Sequence, residues 1–263
     1  MQNNIQNKTA LITGSGGGLG FAIAQGLAAA GCRIVLHGIE PAASIDARRV
    51  QLARDHGVEV IYQQADLADP TAIAGMMERL STSHGGVDIL VNNAVVRHIA
   101  PIDTFPPDKW DQALAVNLSA AFHTIRLTLP HMRTQRWGRI FNMSSVYGSR
   151  ATANRIDYVT TKSGLLGITR AVAVEAAADG ITCNAVCPGS VLTPGIDARI
   201  NTLMAAKKLE RDDAVREFLT GKQPSGEFIN AEHVAALIVF LCSAAGDGIN
   251  GAMLPMEGGW LAG

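Results

Sequence analysis

Short apolar runs typical of β-strands alternate with helix-forming stretches along all 263 residues. The predicted strands are Thr9–Thr13, Arg33–His37, Glu59–Tyr62, Val87–Val91, Arg139–Met143, Ile181–Val186 and Ala252–Pro255. The predicted helices cover 18–30, 42–56, 70–83, 107–134, 158–178 and 230–244. This alternation predicts βαβ units and a parallel sheet, and several strands are apolar on both faces, as a sheet covered by helices on both sides requires. We expect a single doubly wound α/β domain over residues 1–263.

The charge balance of the chain is close to neutral, with 22 Lys and Arg against 23 Asp and Glu. This balance argues against a nucleic-acid-binding or polybasic membrane-surface protein. The longest apolar run, Val234–Cys242, is about half as long as a bilayer span requires, and no secretory signal is visible at the N-terminus. Four cysteines without a C-x-x-C spacing predict reduced core thiols. We therefore expect a cytoplasmic protein with no nucleic-acid or membrane partner.

One segment, about 190–228, interrupts the alternation of strands and helices. It follows a predicted strand, is charged and helix-prone between Arg199 and Leu219, and is flanked by Pro194-Gly195 and Pro224-Ser225-Gly226. Insertions after the carboxyl end of a strand lie where open α/β sheets bind ligands. We interpret the segment as a helical substrate lid; the alternative is a surface excursion without function.

A glycine-rich turn follows the first predicted strand and opens the first predicted helix. It has the sequence Gly14-Ser15-Gly16-Gly17-Gly18-Leu19-Gly20. Glycine allows a positive φ and lets a diphosphate approach the backbone, while the helix N-terminus supplies free N–H groups. Because of its position between a strand and a helix, this turn predicts a dinucleotide site rather than a flexible connection.

A phenol and an ammonium group lie four residues apart at Tyr158 and Lys162, which places them on one helix face. An adjacent cation favours the ionised form of a phenol, whose ordinary pKa of about 10 makes it a poor acid or base at neutral pH. Ser145 follows the end of the predicted fifth strand, in Asn142-Met143-Ser144-Ser145. A Tyr-x-x-x-Lys spacing alone is common by chance, so its meaning depends on its combination with the upstream Ser145.

These motifs resemble the short-chain dehydrogenase/reductase family, which has a Rossmann-type fold and a Thr-Gly-x-x-x-Gly-x-Gly turn. The resemblance covers essentially the whole chain. It implies that Tyr158 exchanges a proton with the substrate oxygen and that Ser145 hydrogen-bonds this oxygen. It also implies that Lys162 holds the nicotinamide ribose and lowers the tyrosine pKa. Asn117, in Val116-Asn117-Leu118, matches the family's fourth catalytic member, which holds a water molecule between the lysine and solvent.

The same resemblance implies the residues of the cofactor site. They are Gly14, Gly18, Leu19, Gly20, Asp66, Leu67, Asn93, Tyr158, Lys162, Val191 and Thr193. Asp66 matches the adenine contact of the family, with an ordinary turn carboxylate as the alternative. Asn92-Asn93-Ala94 matches the family's Asn-Asn-Ala-Gly, except that Val95 replaces the glycine. Val191 and Thr193 match the positions that hold the nicotinamide carboxamide.

The cofactor preference depends on charge, because the 2′-phosphate of NADP needs a nearby Arg or Lys. The loop position that is most often basic in NADP-using relatives is Gly17, and the second strand ends at His37-Gly38-Ile39 without an arginine. There is no acidic residue at that strand end either, although Glu40 follows. We therefore expect NAD, with NADP the less favoured cofactor, and we expect no metal ion.

Within the family, the chain is similar to D-3-hydroxybutyrate dehydrogenases, which oxidise a small hydroxy acid with NAD. The matching segments lie at 37–38, 88–94, 109–111, 117–120, 129–132, 222–225 and 258–260. The substrate positions implied by the resemblance are Arg97, Tyr147, Arg155, Arg199 and Trp260. The first four replace the Gln, His, Lys and lid Gln of those enzymes, and Ser190 stands where they have a tryptophan.

An arginine side chain is a planar fork that suits a carboxylate, phosphate or sulfonate. If Arg97, Arg155 and Arg199 converge, we expect a substrate with a second anionic group or a larger polar body, and 3-hydroxybutyrate itself should be a poor substrate. The alternative is that each arginine is simply solvated. The prediction is an NAD-dependent dehydrogenase that acts on the secondary alcohol or ketone of a small anionic hydroxy acid.

Two other functions remain open from the residues alone. A 3-oxoacyl thioester or carrier-protein reductase would prefer NADPH and a basic outer patch, and neither is evident. A dinucleotide-sensing protein without turnover would lack Tyr158 or Lys162, and both are present. The family resemblance also implies a homotetramer formed through the helices near 107–134 and 158–178 and the C-terminal strand.

Overall fold

The protein is described by a computed structural model over residues 5–262, in which seven strands form one sheet. The strands are β1 (Thr9–Ile12), β2 (Arg33–Gly38), β3 (Val60–Gln64), β4 (Ile89–Asn92), β5 (Gly138–Met143), β6 (Ile181–Pro188) and β7 (Met253–Met256). Their order across the sheet is β3-β2-β1-β4-β5-β6-β7, and every neighbouring pair is parallel. The predicted single doubly wound, Rossmann-type sheet is confirmed.

Helices cover both faces of this sheet. They are α1 (Gly18–Ala29), α2 (Ala42–His56), α3 (Pro70–His84), α4 (Pro107–Leu114), α5 (Ala120–Gln135), α6 (Ile156–Ala176), α7 (Pro194–Lys207), α8 (Arg211–Leu219) and α9 (Ala231–Leu241). One core cluster packs α1, α2 and α9 against the sheet, and a second packs α3, α5 and α6 against the opposite face. In β1, Ile12 belongs to the first cluster and Leu11 to the second, because successive side chains of a strand point to opposite faces.

The helix expected over 107–134 is not continuous. A π-helical turn, Ala115–Ser119, separates α4 from α5 and contains Asn117. Turns of this kind are rare and occur frequently at functional sites. The segment 190–228 likewise contains two helices, α7 and α8, separated at Lys208, which has a left-handed backbone with φ of 53°.

The topology creates a crevice at the carboxyl edge of the sheet. β2 lies on one side of β1 and β4 lies on the other side. The connections that follow β1 and β4 therefore run in opposite directions. The glycine-rich turn follows β1, and Asn92-Asn93-Ala94 spans the end of β4. This switch point is where open α/β sheets bind their ligands.

Two expectations from composition concern membranes and thiols. Within residues 5–262, no helix has the combination of length and apolar character that a membrane crossing needs. Cys32, Cys183, Cys187 and Cys242 are free and buried. Burial raises the pKa of the Cys32 thiol to about 12 and that of the Cys187 thiol to about 11, so these groups are inert thiols rather than nucleophiles.

Candidate active site

A cavity of about 700 Å³ lies along the carboxyl edge of the sheet. Its wall is formed by the glycine-rich turn, the ends of β2, β4, β5 and β6, and the start of α6. Every residue predicted for the cofactor site lines it. The volume is in the range of cofactor and small-molecule sites, about 300–1,000 Å³.

The glycine-rich turn has the geometry that a diphosphate requires. Gly14 has φ of +62°, and a Cβ on it would lie 2.8 Å from the Cα of Ala94. A Cβ on Gly20 would collide with the carbonyl oxygen of Gly14. The N-cap of α1 is Gly17, without a side-chain cap, and the first turn carries no acidic residue. The positive end of the helix dipole and its N–H groups therefore face the cavity without an acidic side chain of α1 beside them.

Asn93 and Thr13 hold this turn against β4. The Asn93 amide donates to the carbonyl oxygens of Thr13 and Gly14 at 2.9 and 3.0 Å. In return, the Thr13 hydroxyl accepts the backbone N–H groups of Asn93 and Ala94 at 2.9 and 3.0 Å. The side chain of Asn93, predicted for cofactor binding, thus also shapes the turn that would bind the diphosphate.

His37 supports the same turn from β2. Its Nδ1 accepts the backbone N–H of Gly14 at 3.2 Å, and its backbone exchanges hydrogen bonds with Ser15. The ring is buried and lines the cavity, and its Nε2 has no hydrogen-bond partner among the described residues. Burial lowers the pKa of His37 to about 4, against the opposing effects of Ala65, Glu40 and Asp66. The imidazole is therefore neutral near pH 7.

Two charged side chains flank the end of β2, where the adenosine ribose of a dinucleotide would lie. The Glu40 carboxylate folds back, with Oε2 3.8 Å from where a Cβ on Gly16 would stand. Arg48, on α2, donates from Nη1 to the carbonyl oxygen of Gly16. Arg48 could not be predicted from the sequence, because no pattern distinguishes it from the neighbouring Arg49. Asp66 lines the cavity and also accepts the N–H of Ala68 at 2.8 Å, so it forms a turn as well.

Tyr158 and Lys162 lie at the start of α6, beside the end of β5. Both side chains are buried, and Lys162 Nζ lies 5.5 Å from the Tyr158 ring centroid and donates to Met143 O at 2.6 Å. Burial favours the neutral phenol, but Lys162, Arg97, the Ser145 hydroxyl and Arg155 together hold the pKa of Tyr158 below its ordinary value. Burial, opposed by Tyr158 and reinforced by Arg97, lowers the pKa of Lys162. A phenol in these surroundings can exchange a proton closer to neutral pH.

Asn117 fixes the loop that follows β4. Its Oδ1 accepts the N–H of Val96 at 2.8 Å, and its Nδ2 donates to the carbonyl oxygen of Val96 at 2.9 Å and to Thr161 Oγ1 at 3.5 Å. The π-helical turn brings this amide to the loop. Asn117 thus connects the loop that carries Arg97 to the helix that carries Lys162.

Two of the predicted substrate arginines lie against the catalytic candidate. The guanidinium carbons of Arg97 and Arg155 lie 5.1 and 5.0 Å from the Tyr158 ring centroid. Of the five predicted substrate residues, Arg97 lines the 700 Å³ cavity. Burial, then the charges of Arg97 and Arg199, lower the pKa of Arg155, while Tyr158 and the Asp157 carboxylate act in the opposite direction.

The other predicted substrate residues lie further out. Tyr147 packs edge-on against Tyr158 and Trp260, with ring centroids 6.3 and 5.4 Å away. Arg199 lies on α7, with its guanidinium carbon 5.2 Å from the ring centroid of Phe218. The three arginines thus form a pair at Tyr158 and one side chain at the lid rather than a single cluster.

Asp157 is a second residue that sequence reasoning missed. It is fully buried beside Tyr158 in the first turn of α6, and its Oδ2 accepts the N–H of His98 at 3.1 Å. Together with the bonds from Asn117 to Val96, this bond fixes the backbone on both sides of Arg97. A single acidic residue before a tyrosine has no pattern from which this contact could be predicted.

Comparison with known proteins agrees with the class that the fold and the site define. A family model described as enoyl-(acyl carrier protein) reductase matches residues 14–261. The chain is 42% identical to a D-beta-hydroxybutyrate dehydrogenase from Cupriavidus necator, over 98% of this chain and 99% of the relative. It is 40% identical to one from Rhizobium meliloti, over 97% and 99%. The solved structure of L-sorbose reductase from Gluconobacter frateurii, complexed with NADPH and L-sorbose, superposes with a TM-score of 0.95, 29% identity and full coverage of both chains.

These findings define an oxidoreductase with a nicotinamide dinucleotide cofactor. The chain belongs to the short-chain dehydrogenase/reductase family. Within that family, it is similar to D-beta-hydroxybutyrate dehydrogenases over nearly its full length.

Proposed function

We propose that the protein transfers a hydride between NAD and the secondary alcohol or ketone of a small anionic hydroxy acid. One observation carries the substrate class. Arg97 and Arg155 lie within 5.1 Å of the Tyr158 ring centroid, and neither forms an ion pair with an acidic side chain in residues 5–262. Guanidinium groups without an acidic partner beside a proton-transfer residue suit a substrate that brings a carboxylate.

In this proposal, Tyr158 is the acid and base of the reaction. In alcohol oxidation its phenolate oxygen accepts the hydroxyl proton of the substrate, and in ketone reduction it returns that proton. Ser145 hydrogen-bonds the same substrate oxygen and fixes its position. Lys162 stabilises the phenolate, and its ammonium would hold the ribose of a bound dinucleotide. The nicotinamide, when bound, accepts or supplies the hydride.

The glycine-rich turn and the uncapped start of α1 fit the diphosphate of a dinucleotide. We propose NAD rather than NADP, because the Glu40 carboxylate lies at the end of β2 and can accept a hydrogen bond from a ribose hydroxyl. A carboxylate there also repels a 2′-phosphate. Arg48 acts in the opposite direction, but its guanidinium is already bonded to Gly16 O. Equal concentrations of NAD and NADP, compared in one assay, test this preference directly.

A panel of mono- and dianionic hydroxy acids, screened by NADH absorbance, tests the activity. The variant Tyr158→Phe should abolish turnover while the dissociation constant of NAD stays within about twofold, because only the hydroxyl is removed. Loss of NAD binding together with turnover would instead indicate a damaged site. Turnover of 3-hydroxybutyrate with a Michaelis constant at or below about 1 mM would remove the argument from the arginines.

A reductase of 3-oxoacyl thioesters or carrier proteins, using NADPH, is the second candidate. The observations that favour it are Arg48 beside the glycine-rich turn, the description of the family model as an acyl-carrier-protein reductase, and the NADPH in the L-sorbose reductase structure. NADPH oxidation with an acetoacetyl thioester, faster than NADH formation with any hydroxy acid, would favour this activity over the first.

Three further expectations belong to the proposal. The segment 190–228 covers the substrate as a lid, since α7 starts at the cavity wall, where Thr193 accepts the N–H of Ile196. The protein forms a homotetramer through the faces of α4 to α6 and β7, which size-exclusion chromatography with light scattering tests. It acts in the cytoplasm, without a nucleic-acid or membrane partner and without a metal ion.

A further inference from the structure

Four cationic side chains between Tyr158 and α8 form no ion pair with any acidic side chain in residues 5–262. They are Arg97, Arg155, Arg199 and Lys222. Three other cations of the lid are paired: Lys207 with Glu217, Arg211 with Asp197, and Arg216 with Asp213. Lys208 also lacks an ion pair within the described residues, but it is exposed at the end of α7 and lies against neither Tyr158 nor Phe218. Arg199 and Lys222 therefore keep positive charge without an acidic partner, although acidic side chains pair with three other cations of the lid.

The four cations form two pairs, each against one aromatic ring. Arg97 and Arg155 lie at Tyr158 and form the inner pair. Arg199 and Lys222 form the outer pair, at 5.2 and 3.7 Å from the ring centroid of Phe218. Cation–π contacts compensate only part of the repulsion between two like charges on one ring.

Like charges act on each other within the outer pair and, more weakly, between the two pairs. Burial and then the charge of Arg199 lower the pKa of Lys222. Burial, then Arg97 and last Arg199 lower the pKa of Arg155, whereas Tyr158 and Asp157 raise it. In addition, the Nε of Arg155 is buried and donates to no described residue. Buried donors without acceptors and adjacent like charges both raise the free energy of the protein unless an anionic ligand joins them.

We propose that the substrate carries two anionic groups, one bound by Arg97 and Arg155 beside Tyr158 and the other by Arg199 and Lys222 at the lid. This inference rests on the proposed function and narrows its substrate class. The first anion accompanies the carbinol that Tyr158 deprotonates, and the second stands at the far end of the molecule. A hydroxy acid with a carboxylate at both ends is the simplest member of this class.

Matched pairs of substrates test the second anion. The dianions 3-hydroxyglutarate, 3-hydroxyadipate and 3-hydroxypimelate are compared with the monoanions of equal chain length, 3-hydroxyvalerate, 3-hydroxyhexanoate and 3-hydroxyheptanoate, at saturating NAD. For at least one length, kcat/KM should be tenfold to a hundredfold higher for the dianion. This factor is equivalent to about 1.4–2.7 kcal/mol, close to the range expected of a hydrogen bond to a charged group.

Variants assign the effect to the outer pair. Arg199→Gln and Lys222→Gln should each lower kcat/KM for the favoured dianion about tenfold, and should lower kcat/KM for its monoanion by a smaller factor. Arg199→Lys, which keeps the charge, should retain most of the activity. Lys207→Gln removes a lid cation that is paired with Glu217, and it should leave kcat/KM unchanged for both the dianion and the monoanion.

A binding measurement separates this inference from the proposed function. Adipate and its homologues carry both anions but no hydroxyl, and their dissociation constants are measured by calorimetry in the presence of NAD. Equal kcat/KM for all matched pairs, unaffected by Arg199→Gln, overturns the second anion and leaves the proposed function intact. Absence of turnover, with dicarboxylate binding that Arg199→Gln weakens tenfold, overturns the proposed function and keeps the two anion sites. The absence of both turnover and dicarboxylate binding overturns the proposed function and the two anion sites together.

Discussion

The guanidinium carbon of Arg97 lies 5.1 Å from the ring centroid of Tyr158. Hydrogen bonds fix the backbone on both sides of Arg97: Asn117 binds the backbone of Val96, and Asp157 accepts the N–H of His98. Among the groups that lower the pKa of Tyr158 against the effect of burial, Arg97 comes second to Lys162. Arg97 can therefore serve two purposes, since it stabilises the phenolate and offers a site for the substrate anion.

We predict that Arg97→Gln shifts the pH dependence of alcohol oxidation to higher pH. Removal of the positive charge raises the pKa of Tyr158, so the phenolate that accepts the substrate proton forms at a higher pH. The limb of kcat/KM that rises with pH should move alkaline, and Arg155→Gln should shift it less, because Arg155 has the smaller effect on Tyr158. Arg97→Lys keeps the charge and should keep the curve. An unchanged limb in Arg97→Gln would show that Arg97 acts on substrate binding alone.

A second prediction concerns the cofactor preference. Glu40→Ser removes the carboxylate at the end of β2, so the ratio of kcat/KM for NADP to that for NAD should rise about tenfold, the equivalent of about 1.4 kcal/mol. Glu40→Ser leaves Arg48 as the nearest cation to a 2′-phosphate. In the double variant Glu40→Ser/Arg48→Ala this cation is removed as well, so the gain in the NADP to NAD ratio should shrink. Glu227→Ser, which removes a carboxylate from the lid, is the control. A ratio that stays constant in Glu40→Ser would exclude Glu40 from the ribose site.

Gly20 and Gly75 provide a matched pair of helical glycines. A methyl group on Gly20 meets Gly14 O and Asn93 Nδ2 inside the site, whereas on Gly75 it meets the flexible end of Arg79 at 3.5 Å. Gly20→Ala should therefore weaken NAD binding at least tenfold and lower the melting temperature. Gly75→Ala should leave NAD binding unchanged and leave stability equal or higher by up to about 1 kcal/mol. Isothermal calorimetry and thermal unfolding measure both effects, and equal behaviour of the two variants would contradict a tight fit at the turn.

The parallel sheet and the position of the cavity at its carboxyl edge follow from the sequence because they depend on features that repeat. Apolar strands alternating with helices imply a parallel sheet, and the glycine-rich turn marks its first strand. The π-helical turn at Ala115–Ser119 could not be predicted in this way. Its Asn117 bonds to Val96, 21 residues earlier in the chain, and no local pattern encodes a contact of that range.

The limits of sequence reasoning are similar in the candidate site. The family resemblance predicted Tyr158, Lys162 and Ser145 as site residues, because spacing along a helix and a strand end fixes where they lie. It could not separate Arg48, which reaches Gly16, from Arg49, which pairs with Asp46. Both arginines occupy consecutive helical positions, and only the packing of α2 on the sheet decides which one faces the turn.

The buried His37 leads to a prediction about stability and pH. Its pKa is lowered to about 4 in the folded protein, from an ordinary value of 6.5, because burial and the Gly14 hydrogen bond at Nδ1 favour the neutral ring. The unfolded chain therefore binds a proton at His37 more readily than the folded protein does. The stability that comes with the neutral, buried ring is complete above about pH 6.5 and is lost as the pH falls towards about 4. The loss amounts to on the order of 3 kcal/mol.

In His37→Asn, a side-chain carbonyl can accept the Gly14 N–H without titrating. Urea unfolding from pH 7.5 to 4 should show wild-type stability falling more steeply than that of the variant, and parallel curves would mean that His37 is accessible to protons in the folded state.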